Sequence, residues 1–103
     1  MPAAMIQFVF RPNPGSNLGT ILEFCKEAAG LWRKQGADVH LWTVQVGEIG
    51  NMVFTVNAES TARLGAITDA VNADPAFMQW RAQVLSAGLT TWVRSNQAFE
   101  VPI

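Results

Sequence analysis

His40 is the only histidine in a chain of 103 residues, and the only side chain whose ordinary pKa lies near neutrality. It is therefore the default general acid or base. Strand alternation puts it on one face with Trp42 and Val44. If that face lines a cleft, an imidazole beside an indole could bind and deprotonate an aromatic or enol-like substrate. The plainer alternative is a histidine at a strand end or subunit seam, bonded to a backbone carbonyl. Four tryptophans accompany it, with no tyrosine. Trp32, Trp42, Trp80 and Trp92 could wall an aromatic pocket, each ring offering a large apolar area and one N–H donor. Such residues also fill cores and seams. Trp32, on the apolar side of a helix, reads as core, whereas Trp42 and Trp80 stay candidates for ligand contact. Arg11 ends the first strand and Arg94 lies in the last, and a guanidinium beside a sheet needs a carboxylate or a ligand anion. Asp38, Glu48 and Glu100 are available, so a structural ion pair competes with capture of a substrate carboxylate.

Other chemistries find less support. Cys25 sits on an apolar helix face, where burial raises a thiol's pKa, so it is not read as a nucleophile. No spacing of His, Cys and carboxylates suggests a metal, no Gly-rich phosphate loop is present, and no cofactor is expected. Glu23 and Glu27 read as a solvated helix face. The net charge is −1 and the seven Lys and Arg residues are scattered, which argues against nucleic acid. No apolar run approaches the roughly 20 residues that span a bilayer. The opening Met1-Pro2-Ala3-Ala4-Met5 has no basic n-region and no apolar h-region, and a single cysteine forms no internal disulfide, so a cytoplasmic location is expected.

The elements that would position these residues form one domain over 1–103. Met5 to Phe10 is an apolar, β-branched and aromatic run closed by Arg11-Pro12-Asn13-Pro14-Gly15, hence a strand and a loop. A helix follows from about Asn17 to Gln35, capped by Ser16 or Asn17. Its Leu18, Ile21, Leu22, Cys25, Ala28, Ala29 and Trp32 recur at steps of three and four. Gly36 after Arg33-Lys34-Gln35 reads as its left-handed terminator. Val39 to Val46 is a second strand, Gly47 to Asn51 a turn, and Met52 to Val56 a third strand. Ser60 or Thr61 caps a helix carrying Leu64, Ile67 and Val71. Asn72-Ala73 breaks it, and Asp74-Pro75 restarts it with Asp as cap and Pro at the first helical position. Phe77, Met78, Trp80, Arg81, Val84 and Leu85 occupy the second piece, which Gly88 ends. Thr90 to Arg94 is a fourth strand that the tail through Phe99, Val101 and Ile103 can extend.

The order is β-α-β-β-α-β, an α+β ferredoxin-like arrangement of four antiparallel strands with helices on one face. Ile6, Phe8 and Phe10 point one way and Met5 and Val9 the other; Trp42, Val44 and Val46 oppose Val39 and Leu41. A sheet with one wet face alternates apolar with polar. These strands read as apolar on both sides, and only 15% of the residues are charged, against roughly 25% in soluble domains. A second copy of the chain covering the helix-free face is the simplest solution, giving a homodimer.

In its element order, in Gln35-Gly36-Ala37, and in the helix broken at Asn72-Ala73-Asp74-Pro75-Ala76-Phe77 with Trp80 following, the chain resembles the dimeric α+β barrel superfamily. Within it, the NIPSNAP-like and antibiotic-biosynthesis-monooxygenase-like groups are most similar. The resemblance covers Met5 to about Phe99 and contains no catalytic motif. It implies a ligand cleft within each subunit, between sheet and helices. Haem-degrading members use a first-strand Asn and a second-helix His; here stand Gln7 and no histidine, so haem degradation is not implied. Cyclases with a first-strand histidine find no match either. Two functions are thus carried forward. One is a cofactor-independent monooxygenase, cyclase or isomerase acting on an aromatic or polyketide-like molecule. The other is a non-catalytic small-ligand-binding or stress-associated barrel protein. A pure assembly module with a filled core is a third.

Overall fold

Period-two alternation in the strands and three-to-four spacing in the helices resolve into two packed layers in the computed structural model, which describes residues 3–103. Met1 and Pro2, which open the stretch read as lacking a leader, lie outside the described residues. The elements are β1 (Ala4–Pro12), α1 (Leu18–Lys34), β2 (Asp38–Thr43), β3 (Met52–Ala58), α2 (Thr61–Ala73), α3 (Pro75–Ala87) and β4 (Thr90–Phe99). The strands form one sheet in the order β2-β3-β1-β4, each neighbouring pair antiparallel. This is the ferredoxin-like α+β arrangement, with its second helix divided into α2 and α3.

The local devices are those expected. Asn17 Oδ1 accepts from the Thr20 amide at the start of α1, and Ser60 Oγ from that of Arg63 at the start of α2. Asp74 Oδ1 accepts from the Ala76 amide, and Pro75 opens α3. Gly36 (φ 99°) follows α1 and Gly88 (φ 62°) closes α3. Both occupy the left-handed region that side chains with a Cβ avoid.

Direct cross-strand partners share a face, so the register assigns every strand residue. Ala4, Ile6, Phe8 and Phe10 of β1, Val39 and Leu41 of β2, and Phe54 and Val56 of β3 face the helices. α1 packs over β2, and α2 over β1 and β3. Ile21, Ala28, Ala29 and Trp32 meet Leu64, Ile67 and Val71 above Val39, Phe54 and Val56 to form the core. Among the described residues, no helix is long and apolar enough to cross a membrane.

The structure adds detail to these expectations and departs from some of them. β2 stops at Thr43, whose partner Met52 is the first residue of β3; beyond it the ladder has no partner strand, and Val46 lies exposed in the connecting loop. β4 takes in the tail as far as Phe99, because β1 offers partners down to Ala4. The helix-free face is also less apolar than alternation implied. Met5, Val9, Trp42 and Val53 share it with Gln7, His40, Thr55, Asn57, Arg94 and Asn96. Leu18 and Leu22 remain exposed, which narrows the buried stripe of α1.

Candidate functional site

α3 starts at a proline, so it leaves α2 at an angle and packs on α1 and α2 rather than on the sheet. No residue of α3 is fully buried. The space beneath it, above β1 and β4, is a cleft of about 680 Å³. Its floor is Ile6, Phe8, Phe10, Phe54 and Trp92, its wall is Ile21, Phe24, Cys25, Ala28 and Trp32 of α1, and its roof is Phe77, Trp80, Arg81, Val84 and Leu85 of α3. Such a volume lies within the range of small-molecule sites.

A β-bulge makes part of this floor. The β1–β4 register slips between Val9 and Phe10, so Phe10 faces Trp92 while Val9 faces Arg94, with Val93 as the extra residue. Unbroken alternation would set Trp92 and Arg94 on the same face. The bulge sends Trp92 to the cleft and Arg94 to the other side.

The rings form a continuous wall. The Phe8 centroid lies 6.1 Å from that of Trp32, 6.3 Å from Phe54 and 5.6 Å from Trp92. Phe77 meets Trp32 edge-on at 6.5 Å and stacks on Trp80 at 5.5 Å with an interplanar angle of 24°. The Trp80 indole N–H donates to the Phe24 carbonyl oxygen (2.8 Å), which holds the ring across the gap between α3 and α1. With that donor engaged, Trp80 offers the cleft its faces and edge. The rim is equally fixed. The Asn13 backbone amide donates to the Leu89 carbonyl, its side-chain amide to that of Gly88, and the Ser16 hydroxyl to that of Leu89. These bonds tie the β1–α1 loop to the α3–β4 connection.

Polar groups are few. Thr68 donates its hydroxyl to the Leu64 carbonyl (2.8 Å). Burial pushes the Cys25 thiol up to about 11, so it is neutral near pH 7. Arg81 is the single charged residue of the lining, which contains no carboxylate and no imidazole. A second, more open hollow of about 490 Å³ lies at the sheet edge between Gly36, Asp38, Asn57, Ala58, Glu59 and Arg63. Among the described residues, no three His, Cys, Asp or Glu side chains converge as metal ligands.

Of the residues singled out from the sequence, Trp80 lines the cleft. His40, Trp42, Arg11 and Arg94 do not; they belong to the helix-free face. There His40 Nε2 lies 3.1 Å from Asp38 Oδ2, its ring 6.0 Å from that of Trp42. The Trp42 indole donates to Thr55 Oγ1 (3.0 Å), and Thr55 donates to the His40 carbonyl (3.3 Å). Arg94 donates to Glu48 Oε1 at 2.7 Å. That hydrogen bond and the guanidinium's charge hold the Glu48 carboxyl below the usual carboxylate range, and Glu48 in turn raises Arg94. Trp32 and Trp92 also line the cleft, so three of the four tryptophans gather there. The residue missed was Arg81. Its signal was available: it stands next to Trp80 and four residues after Phe77, both of which line the cleft.

No family model matches this chain, and no curated protein does. Its fold is shared by solved structures of low sequence identity. A NIPSNAP domain protein from Burkholderia xenovorans superposes with a TM-score of 0.71 at 19% identity, over 100% of this chain and 95% of that one. A NIPSNAP family protein of unknown function from Agrobacterium tumefaciens gives 0.71 at 13% identity, over 98% and 87% of the two chains. A conserved protein of unknown function from Bacteroides thetaiotaomicron, described as a possible oxidoreductase, gives 0.67 at 13% identity, over 96% and 98%.

Proposed function

We propose that the chain binds a flat, mostly apolar small molecule in the cleft beneath α3, working as a homodimer closed through its helix-free face. The observation that carries the binding reading is the ring wall: Phe8, Trp32, Phe77, Trp80 and Trp92 border a cleft of about 680 Å³ that opens to solvent along α3. Offset and edge-on aromatic contacts add about 0.5–1.5 kcal/mol per ring pair beyond area burial, so a planar guest gains most there. The lining offers no ordinary general base, which favours holding a ligand over converting it.

Tryptophan fluorescence tests this directly. Trp42→Phe removes the one indole outside the cleft and leaves three reporters that all line it. Titration with quinones and aromatic acids then gives saturable quenching, and chromatography of the mixture shows the ligand unchanged. Absence of saturable quenching across the panel sinks the binding reading.

A second reading is a cofactor-independent monooxygenase, cyclase or isomerase on an aromatic or polyketide-like substrate. The Bacteroides thetaiotaomicron neighbour, described as a possible oxidoreductase, favours it. Here the protein would confine a substrate that is itself reactive. His40 stands on the opposite side of the sheet from the cleft, so on this reading it takes no part in the reaction, and product formation in the same mixtures separates the two.

A further inference from the structure

Resting on the cleft reading, we infer that the ligand is an aromatic monoanion, with its flat body against the ring wall and its acidic group on Arg81. Arg81 is the only charged side chain among the lining residues. The four ion pairs among the described residues join Lys26 to Glu23, Lys34 to Asp74, His40 to Asp38 and Arg94 to Glu48. Arg81 belongs to none of them. On α3 it follows Trp80 and lies one turn from both Phe77 and Leu85, and it is itself exposed, standing where the aromatic roof of the cleft meets solvent. Asn72 lines the cleft as well and adds an amide donor. A guanidinium is planar, permanently charged and matched to a carboxylate through two parallel N–H donors. An unpaired one beside an otherwise apolar cleft selects a guest with one anionic end and a hydrophobic remainder. The stacked pair of Phe77 and Trp80 next to it makes that remainder aromatic rather than an alkyl chain.

Calorimetric titration of the full chain with naphthalene carboxylate and its neutral isostere, naphthalene carboxamide, tests the assignment. The carboxylate binds tighter than the carboxamide by about tenfold, in line with a charge-assisted pair at a half-open site. Arg81→Gln abolishes that preference, bringing the two probes to within about twofold of each other, while Arg81→Lys keeps part of it. Dodecanoate, with the same acid on a saturated chain, binds more weakly than the naphthalene acid. A preference that survives Arg81→Gln, or equal binding of both probes to the unaltered protein, overturns the role of Arg81 while the cleft reading stands. Tighter binding of dodecanoate overturns the aromatic assignment. No binding of any probe removes the cleft reading together with the inference.

Discussion

Cys25 shows how the cleft alters a single residue. Desolvation holds its thiol at about 11 against an ordinary 9.0, so at pH 8 the thiolate fraction is about a hundredfold below that of a free thiol. Iodoacetamide should therefore alkylate the folded chain about a hundredfold more slowly than the urea-unfolded chain at pH 8, followed by mass spectrometry. The rate should climb as pH rises towards 11. Comparable rates in the two states would mean that the thiol is not desolvated. The same shift sets a direction for stability. The folded thiol keeps its proton where the unfolded one releases it, so its contribution is intact below pH 9 and is lost as pH rises through 11. Residue-scale reading of the sequence succeeded in pairing side chains and failed in orienting them. Alternation correctly joined His40 with Trp42, and Ile6 with Phe8 and Phe10. Which set faces the helices is settled by packing, and the helices cover the second set. Trp92 and Arg94 were illegible for a sharper reason: one bulge residue, Val93, reverses the faces that spacing assigns.

Helix boundaries were the most legible elements, because capping is local chemistry carried by one or two residues. Ser60 illustrates it: its hydroxyl accepts the Arg63 amide at 3.1 Å, satisfying one of the four free N–H groups at the start of α2. Ser60→Ala should cost about 1 kcal/mol of unfolding free energy, and Ser60→Gly less. Urea titration followed by circular dichroism measures both, and an unchanged midpoint for Ser60→Ala would show that the cap contributes nothing. The core face of the same helix should respond more strongly. Leu64→Ala and Ile67→Ala, at fully buried positions, should each cost about 2–5 kcal/mol in the same titration. Strand ends were less legible, because a ladder ends where its partner does. Val44-Gln45-Val46 continues the apolar alternation of β2, yet the hairpin opens at Thr43. The Val44 amide then bonds the Asn51 carbonyl across a loop holding Gly47 and Gly50 at φ 96° and 92°. The cleft was only half legible: the restart at Asp74-Pro75 could be read, though α2 runs on through Asn72-Ala73, where the break was expected, and nothing in the spacing says that α3 is lifted off the sheet.

The whole molecule is a slab of 43 × 36 × 17 Å, and its thinnest dimension bears on the proposed dimer. Two layers need about 10 Å between them, so this thickness is filled by one sheet and one helix layer, and the chain's own cover of the helix-free face is partial: the β2–β3 loop reaches it through Glu48 on Arg94, and Val9 and Thr55 are buried there while Trp42 stays exposed. Four strands about 4.8 Å apart and about seven residues long present roughly 440 Å² in projection, short of the roughly 800 Å² per partner of a standard interface. The face alone does not suffice, and its polar half, with Gln7, Thr55 and Asn57, weakens it further. Two further apolar segments stand exposed near the strand ends: Val46 and Ile49 in the β2–β3 loop, and Val101 and Ile103 beyond the end of β4. Closure by a second copy that engages both segments makes the proposed dimer dependent on centre and margin alike. Sedimentation at micromolar concentration should accordingly give a particle of twice the 11.2 kDa chain mass. Val53→Glu, which sets a charge opposite Trp42 and Val9 on the two central strands' apolar part of the face, should give a folded particle of single mass. Ile49→Glu should shift the equilibrium towards monomer without abolishing pairing, because it touches the margin only. An unaltered chain that sediments at 11.2 kDa would mean that water tolerates the mixed face, and that the polar residues interspersed on it are its natural cover.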